Sequence, residues 1–541
     1  RTVADRAAYN VPVALKIDGP LDADALGDAL DALIARHEIL RTRLVSAEGR
    51  LTQSIDPAEP FPLQMERVAP ERLAARLHTL ARMPFDLAGE HPMRGHLLRA
   101  GKGAHFLLLN LHHSATDGWS QQLLVRELGQ AYRRAADGDA LDLTPPAVQY
   151  ADLAASERER LNGPQGKTLC AFWETVLSGV RPVALPTDHP RPPRPSGRGE
   201  TVTFTLPEGV AGALRGIAAS QGTGPFATLA ALFHLFIARW TGADDAVVAT
   251  PVANRQHPAE MAALGLFMNT VVMRPGAVAP DRPFTEFLRT VAATIEAAIA
   301  HQALPYDQIV DLAKVERRPD RPALTPVMLI MQNPQEGEGF GAPGLTVEAS
   351  DVTTGTAKFD VTLSFDEADG DLVGTIEYAA DLFDPATIGW LGETMAALCE
   401  RVAHAPTITV GELVSAVTQR AAGEAAIAPV VNPVKAAPEM EAVVASIWRE
   451  VLERDDVGND RNFFDVGGTS LRLMRVQAAL LARLGREIPI LTLFENPTVA
   501  QLAAALVAEP ASPVDVHAPA PRSARTARQA RRAKRTGAQR P

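Results

Sequence analysis

Residues 21–35, "LDADALGDALDALIA", place Leu26, Leu30 and Leu33 or Ile34 on one face of a 3.6-residue helix. "AHFLLLNLHH" (104–113) is a short apolar run bounded by polar residues, which predicts a buried strand. "WSQQLLVRELGQAYRRA" (119–135) returns to an amphipathic helix. "LPTDHPRPPRPSGRG" (185–199) sustains neither a helix nor a central strand, and marks a boundary. Beyond it strands are predicted at "ETVTFTL" (200–206), "DAVVATPV" (245–252), "PVMLIMQN" (326–333) and "LTVEAS" (345–350). A long apolar helix falls near 225–240, and a hairpin over 359–379 turns at Gly370. Helices and strands mix on both sides of the boundary, which predicts an α/β (α+β) fold of two related lobes.

A second boundary lies at "AAGEAAIAPVVNPVKAAPE" (421–439), rich in Ala and Pro and without periodicity. Three apolar stripes follow, at 439–454 (Val444, Ile447, Trp448, Val451), 470–484 and 497–508, and predict a small all-α helical bundle. The predicted division is a first lobe at 1–180, a second at 181–415, a linker at 416–438, the helical unit at 439–509 and a disordered tail at 510–541. Arg522, Arg525, Arg528, Arg531, Arg532, Lys534 and Arg535 make the tail basic. It reads as a solvated tail, with a docking arm for an acidic partner as the alternative.

Composition narrows the function classes. Of 541 residues, 46% are hydrophobic and 22% charged, enough for a large core in an ordinary globular chain. A net charge of -11 argues against a general nucleic-acid binder. No apolar run is long enough to span a bilayer, so no membrane partner is expected. Cys170 and Cys399 form neither a disulfide framework nor a metal site, which fits a reducing cytoplasm. The opening "RTVADRAAYN" has no initiator Met and no signal-peptide core, and reads as the start of a fragment.

The candidate chemistry sits in "LHHSATDGWS" (111–120). Successive strand residues face opposite sides, so His112 and His113 point apart if the strand persists. Asp117 is placed to cap the next helix or to hold an Arg. A bare histidine pair before an Asp-Gly turn is more often structural than catalytic. His-His, three residues, Asp-Gly and Trp after an apolar strand, however, resemble the active-site motif of the nonribosomal peptide synthetase condensation domain. That family belongs to the chloramphenicol acetyltransferase-like superfamily. "RHEILRTRL" (36–44), "YADLA" (150–154), "LGLFMNTVVMR" (264–274), "HQALPYDQIV" (301–310) and "RPDRPALTPVMLIMQN" (318–333) resemble its other motifs, in the family's order. The departures are Met268, Tyr306, Pro319, Asp320 and Ala323, and a missing first motif before "AAYNVP".

The resemblance implies two lobes in a V and an amide bond made from a carrier-bound thioester and an amine. It makes His113 the channel-facing base or positioning group, with His112 beside it. Asp117 becomes a structural group paired with Arg255, and Gly118 leaves room for a pantetheine arm. Asn333 becomes a polar tunnel residue, and Arg36 and Arg41 support the fold.

"NFFDVGGTSLRLMRVQ" (462–477) sets Ser470 at a helix start, where a lone Ser is usually a cap. Gly467 and Gly468 leave the backbone around it accessible, and Asp465 stands nearby. This resembles the attachment site of peptidyl carrier proteins and implies a covalent 4'-phosphopantetheine on Ser470. The implied partners are an upstream carrier protein as donor and a phosphopantetheinyl transferase. An adenylation enzyme acting in trans is implied as well, because 415–439 has no room for an adenylation domain. Three alternatives remain open: an epimerisation-type domain, a catalytically silent recruitment platform, and a soluble acyltransferase using coenzyme A.

Overall fold

The computed structural model describes residues 5–415 apart from 48–49, 102–103, 278, 319, 333–339 and 369, then 417, then 438–508 apart from 464–465, 467, 469, 486–487, 489–491 and 494–495. The predicted tail and nearly all of the predicted linker lie outside these residues.

The strands, in chain order, are β1 (Asn10–Asp18), β2 (Thr42–Ala47), β3 (Arg50–Ile55), β4 (Gln64–Val68), β5 (Met93–Ala100), β6 (Ala104–His112), β7 (Gly199–Thr205), β8 (Val248–Val252), β9 (Asn269–Met273), β10 (Val327–Met331), β11 (Thr346–Ala349), β12 (Val361–Ala368) and β13 (Asp371–Ala379). They form a sheet of order β11-β1-β6-β5-β4, a second of order β7-β13-β12-β10-β8-β9, and the hairpin β2-β3. Both sheets mix parallel and antiparallel pairs.

The Leu run of β6 is apolar on consecutive residues because both of its faces are covered. Leu107, Leu109 and Leu111 pack in one core with helices Ala23–Arg36 and Gly118–Ala136. Leu108 faces the other way, against Leu77 and Leu80 of helix Leu73–Ala81. The second sheet is covered by helices Val210–Ser220, Pro225–Thr241, Phe284–Ala300 and Pro385–His404. Pro225–Thr241 is buried on almost every side, which explains its largely apolar sequence. The predicted hairpin is β12-β13, with Ala368 opposite Asp371 and Gly370 at φ 89°.

Packing crosses the sequence boundary between the lobes in both directions. β11, from "LTVEAS", pairs with β1 and completes the first sheet. Phe340, just before it, stacks near Tyr132 (5.4 Å) in the first core. Conversely, Leu169 and Trp173 of helix Pro164–Leu177 lie with Val247 and Val271 of the second lobe. Trp173 Nε1 donates to the His301 carbonyl at 3.1 Å. Each lobe is finished by a piece of the other's sequence, which fixes the two sheets around a shared seam.

In the C-terminal unit, helices Pro438–Leu452, Ser470–Leu484 and Val499–Ala508 enclose Val444, Ile447, Trp448, Phe463, Leu473, Val476 and Leu502. Val451 is only partly buried against this core. The unit meets the second lobe through Asn462 Nδ2, which donates to the Arg317 carbonyl (3.0 Å), and Arg194, which donates to Asn496 Oδ1 (3.4 Å). Among the described residues, no helix is long and apolar enough to cross a membrane.

Candidate active site

β6 stops at His112, and His113–Ala115 form a single 3-10 turn. The orientation of His113 is therefore set by that turn and not by strand alternation. The next helix starts at Gly118, one residue before the expected Trp119, with Asp117 as its cap. Asp117 Oδ1 accepts the Ser120 N–H at 2.8 Å, the usual satisfaction of a helix N-terminus.

The two histidines are held in opposite tautomers. His113 Nδ1 lies 2.9 Å from the Thr116 carbonyl, which only accepts, so Nδ1 carries the hydrogen and Nε2 keeps its lone pair. His112 Nδ1 accepts the Ser114 N–H at 3.1 Å, so the neutral His112 carries its hydrogen on Nε2. Ser114 Oγ is 2.9 Å from the same His112 nitrogen. The His112 ring sits between Tyr9 (6.2 Å) and Phe85 (5.9 Å). Burial, with the charges of His113 and Lys358, pushes the His112 pKa down to about 4. Burial, then Lys358, also lowers that of His113, against the hydrogen bond to Thr116 and the charge of Asp117. Both are held toward the neutral form.

Asp117 does more than cap. Its Oδ2 accepts the N–H groups of Phe267 (2.9 Å) and Met268 (3.1 Å) from the second lobe. Arg255 Nη2 donates to Asp117 Oδ1 at 3.1 Å and to Ser120 Oγ at 2.7 Å. Arg255 also donates to the carbonyls of Glu260 and Ala263, and stacks 4.0 Å over the Phe267 ring. The Asp117 and Arg255 side chains are 2% and 0% exposed, so this is a buried, multiply bonded ion pair. Gly265 is required beside it, since a Cβ there would stand 2.1 Å from the Tyr150 ring. Tyr150 donates to the Leu266 carbonyl at 2.9 Å, and burial pushes its phenol pKa up to about 12. Asn269 ties two motifs together: Nδ2 donates to Gln302 and Leu304 carbonyls (2.7 and 2.6 Å), and Oδ1 accepts the Tyr306 N–H at 3.1 Å.

The structure thus joins His112, His113, Asp117, Gly118 and Arg255 in one place. Arg36 pairs with Glu127 (3.2 Å), and Arg41 donates to the Ile34 and Asp56 carbonyls (3.2 and 2.6 Å). Both brace the first lobe through contacts other than the histidine turn. Asn333, Asp465 and Gly467 lie outside the described residues, as does the Ser470 side chain. One expectation is corrected. Gly468 does not serve to expose the backbone: it is buried, and a Cβ there would stand 2.2 Å from Phe463 Cδ1. Packing of the Phe463 ring demands that glycine. Sequence reasoning does not single out Ser120 or Asn269. Ser120 has a signal, since it stands three residues after a capping Asp, but its partners Arg255 and Gly265 are 135 and 145 residues away.

Two α/β lobes meeting at a histidine turn, with a small helical unit beside them, define a condensation-type protein with an attached carrier. The family described as Condensation domain matches residues 3–422, and that described as Phosphopantetheine attachment site matches residues 442–506. The chain belongs to the condensation-domain family of nonribosomal peptide synthetases, followed by a phosphopantetheine-binding carrier domain. It is 34% identical over 414 residues to chondramide synthase cmdD of Chondromyces crocatus, covering 75% of this chain and 10% of that protein. It is 36% identical over 410 residues to phosphinothricin tripeptide synthetase PhsC of Streptomyces viridochromogenes, covering 74% and 38%. It therefore spans a small part of the relatives it matches. The crystal structure of the X-domain from teicoplanin biosynthesis superposes with a TM-score of 0.69 at 27% identity, covering 76% of this chain and 96% of that one. A four-domain nonribosomal peptide synthetase shares the fold over 88% of this chain and 37% of its own, at 19% identity and a TM-score of 0.67.

The residues present fit the phosphopantetheine group. Ser470 is the first residue of its helix, and a helix N-terminus favours a phosphate. At Gly118 a Cβ would meet nothing within 4 Å, so the backbone beside the histidine turn borders open space.

Proposed function

We propose that residues 1–415 catalyse amide formation between a carrier-bound acyl or peptidyl thioester and an amine. Ser470 is the attachment point of the phosphopantetheine on the chain's own carrier. When attached, that group supplies the thiol through which a substrate is held as a thioester. The acceptor nitrogen attacks the donor carbonyl, a C–N bond forms, and the C–S bond breaks. The nitrogen loses a proton and the departing sulfur gains one.

His113 is the residue that handles this proton. The observation that carries the reading is the Nδ1 hydrogen bond to Thr116, which leaves the Nε2 lone pair available on a half-buried, neutral imidazole. A free α-amine has a pKa of about 7.7–8.0, so a share of it is unprotonated near pH 7, and a neutral imidazole can take the proton that its nitrogen loses once it has attacked. Asp117 and Arg255 hold the turn from behind, and Gly118 leaves the approach open. The donor comes from an upstream carrier, a separate adenylation enzyme loads the carrier, and a phosphopantetheinyl transferase modifies Ser470. Two unpaired cysteines suit a cytoplasmic setting.

The test is turnover by the full chain after modification and loading of its carrier, comparing parent with His113→Ala. Normal turnover by a folded His113→Ala would overturn the assignment. A second reading, recruitment without catalysis, is favoured by one likeness: a fold neighbour at 28% identity is a complex of the X-domain with OxyB. That reading forecasts no amide product from any loaded pair and retained binding of a partner enzyme.

A further inference from the structure

The histidine turn is built by the first lobe, yet the charge acting on it comes from the second. Lys358 lies three residues before β12, and its Nζ stands 5.9 Å from the centroid of the Tyr9 ring. Tyr9 belongs to the first lobe and touches both histidines. Its carbonyl accepts the His113 N–H at 2.8 Å, and its ring lies 6.2 Å from that of His112. Across β12, Glu377 on β13 stands opposite Thr362. The Glu377 carboxylate takes a hydrogen bond from the Lys358 backbone, and its charge opposes the lowering of the Lys358 pKa that burial causes. Lys358 and Glu377 are both half-buried.

An ammonium and a carboxylate drawn into a seam between lobes each lose hydration, and apolar residues would fill such a seam at less cost. The charged groups facing the turn are His112 on its own strand, Asp117 with its partner Arg255, and Lys358 with Glu377. Asp117 is already occupied by Arg255 and three N–H groups. Lys358 is the cation that acts on both imidazoles.

We propose that Lys358 is a positioning residue for the reaction: its ammonium, brought by the second lobe to the Tyr9 ring beside the histidine turn, opposes protonation of His113. The same charge disfavours a second cation beside it, so an acceptor amine entering the turn is held as the free base. This rests on the reading of His113 as the proton acceptor.

The experiment follows His113 directly, without a substrate. Diethyl pyrocarbonate modifies neutral imidazole, and fragment-ion mass spectrometry separates His113 from His112 in one peptide. The pH midpoint of modification is measured on the full chain for the parent, Lys358→Met and Lys358→Arg. Removing a nearby positive charge raises an imidazole pKa, so Lys358→Met moves the His113 midpoint upward. Lys358→Arg returns it to the parent position, which a purely structural role would not require. An unmoved midpoint in a folded Lys358→Met protein overturns the proposal. If Lys358→Met fails to fold, Lys358→Gln, which keeps length and polarity, is held to the same forecast.

Turnover is read alongside with alanyl-phosphopantetheine on the chain's own carrier and a dipeptidyl N-acetylcysteamine thioester as soluble donor. Turnover by His113→Ala would defeat the catalytic reading of His113. An inactive His113→Ala together with an unmoved Lys358→Met midpoint would defeat the role of Lys358 alone.

Discussion

Arg255 Nη2 lies 3.1 Å from Asp117 Oδ1 although 138 residues separate them along the chain. The pair joins the loop that carries the histidine turn to the second lobe. Breaking one side of such a buried pair typically costs about 3–5 kcal/mol. Asp117→Ala is expected to lose stability on that scale, measured by chemical denaturation. Asp117→Ala combined with Arg255→Met should lose less than Asp117→Ala alone, because no unpaired guanidinium remains. Equal losses would mean that the N–H groups of Phe267 and Met268, not Arg255, account for the value of Asp117.

His113→Ala separates chemistry from folding. It removes one hydrogen bond to Thr116 and should melt close to the parent. Turnover should fall by about 10²–10⁴-fold, the usual contribution of a general base. A melting temperature that falls as far as in Asp117→Ala would make His113 a structural group.

Protonation of His112 should be visible in stability. Its pKa is about 4 in the folded chain, against about 6.5 for an ordinary imidazole. Below the ordinary value the unfolded chain binds a proton that the folded chain refuses. Stability is therefore expected to decline as pH falls from about 6.5 toward 4, with the loss levelling off once folded His112 is protonated too. Melting curves of parent and His112→Gln across that window provide the check. The variant should show a shallower decline.

Gly118 and Gly468 should respond differently to the same change. Gly118→Ala meets open space and lies in a helix, so stability should hold or rise by up to about 1 kcal/mol while turnover with a carrier-bound substrate falls. Gly468→Ala drives a methyl into Phe463, and should destabilise the carrier by about 1–3 kcal/mol. Thermal melts of the full chain, with the carrier transition followed by hydrogen exchange of peptides from 438–508, distinguish the two.

Ser470→Ala should take up no phosphopantetheine from a transferase, whereas the parent takes up one, by intact-protein mass spectrometry. The modified parent should not charge itself from ATP and an amino acid. If Ser470 is only a helix cap, Ala instead loses about 0.5–2 kcal/mol, and neither form gains mass.

Local pattern made much of this molecule legible. Apolar spacing located β6, the long buried helix, the hairpin at Gly370 and the stripes of the carrier, because each buries a fixed face or both faces of one element. The order of short motifs pointed to the histidine turn and to Ser470, since those residues are close in sequence as well as in space. The tertiary structure decided what depends on distant partners. Strand alternation could not orient His113, because the strand ends one residue earlier and a turn takes over. "LTVEAS" reads as a strand of the second lobe, but backbone pairing with β1 puts it in the first sheet. Gly468 reads as leaving the backbone near Ser470 accessible until the Phe463 ring is placed against it. Lys358 carries no local signal at all. Its place beside the Tyr9 ring, across the lobe seam, depends on how the lobes pack and not on spacing along the chain.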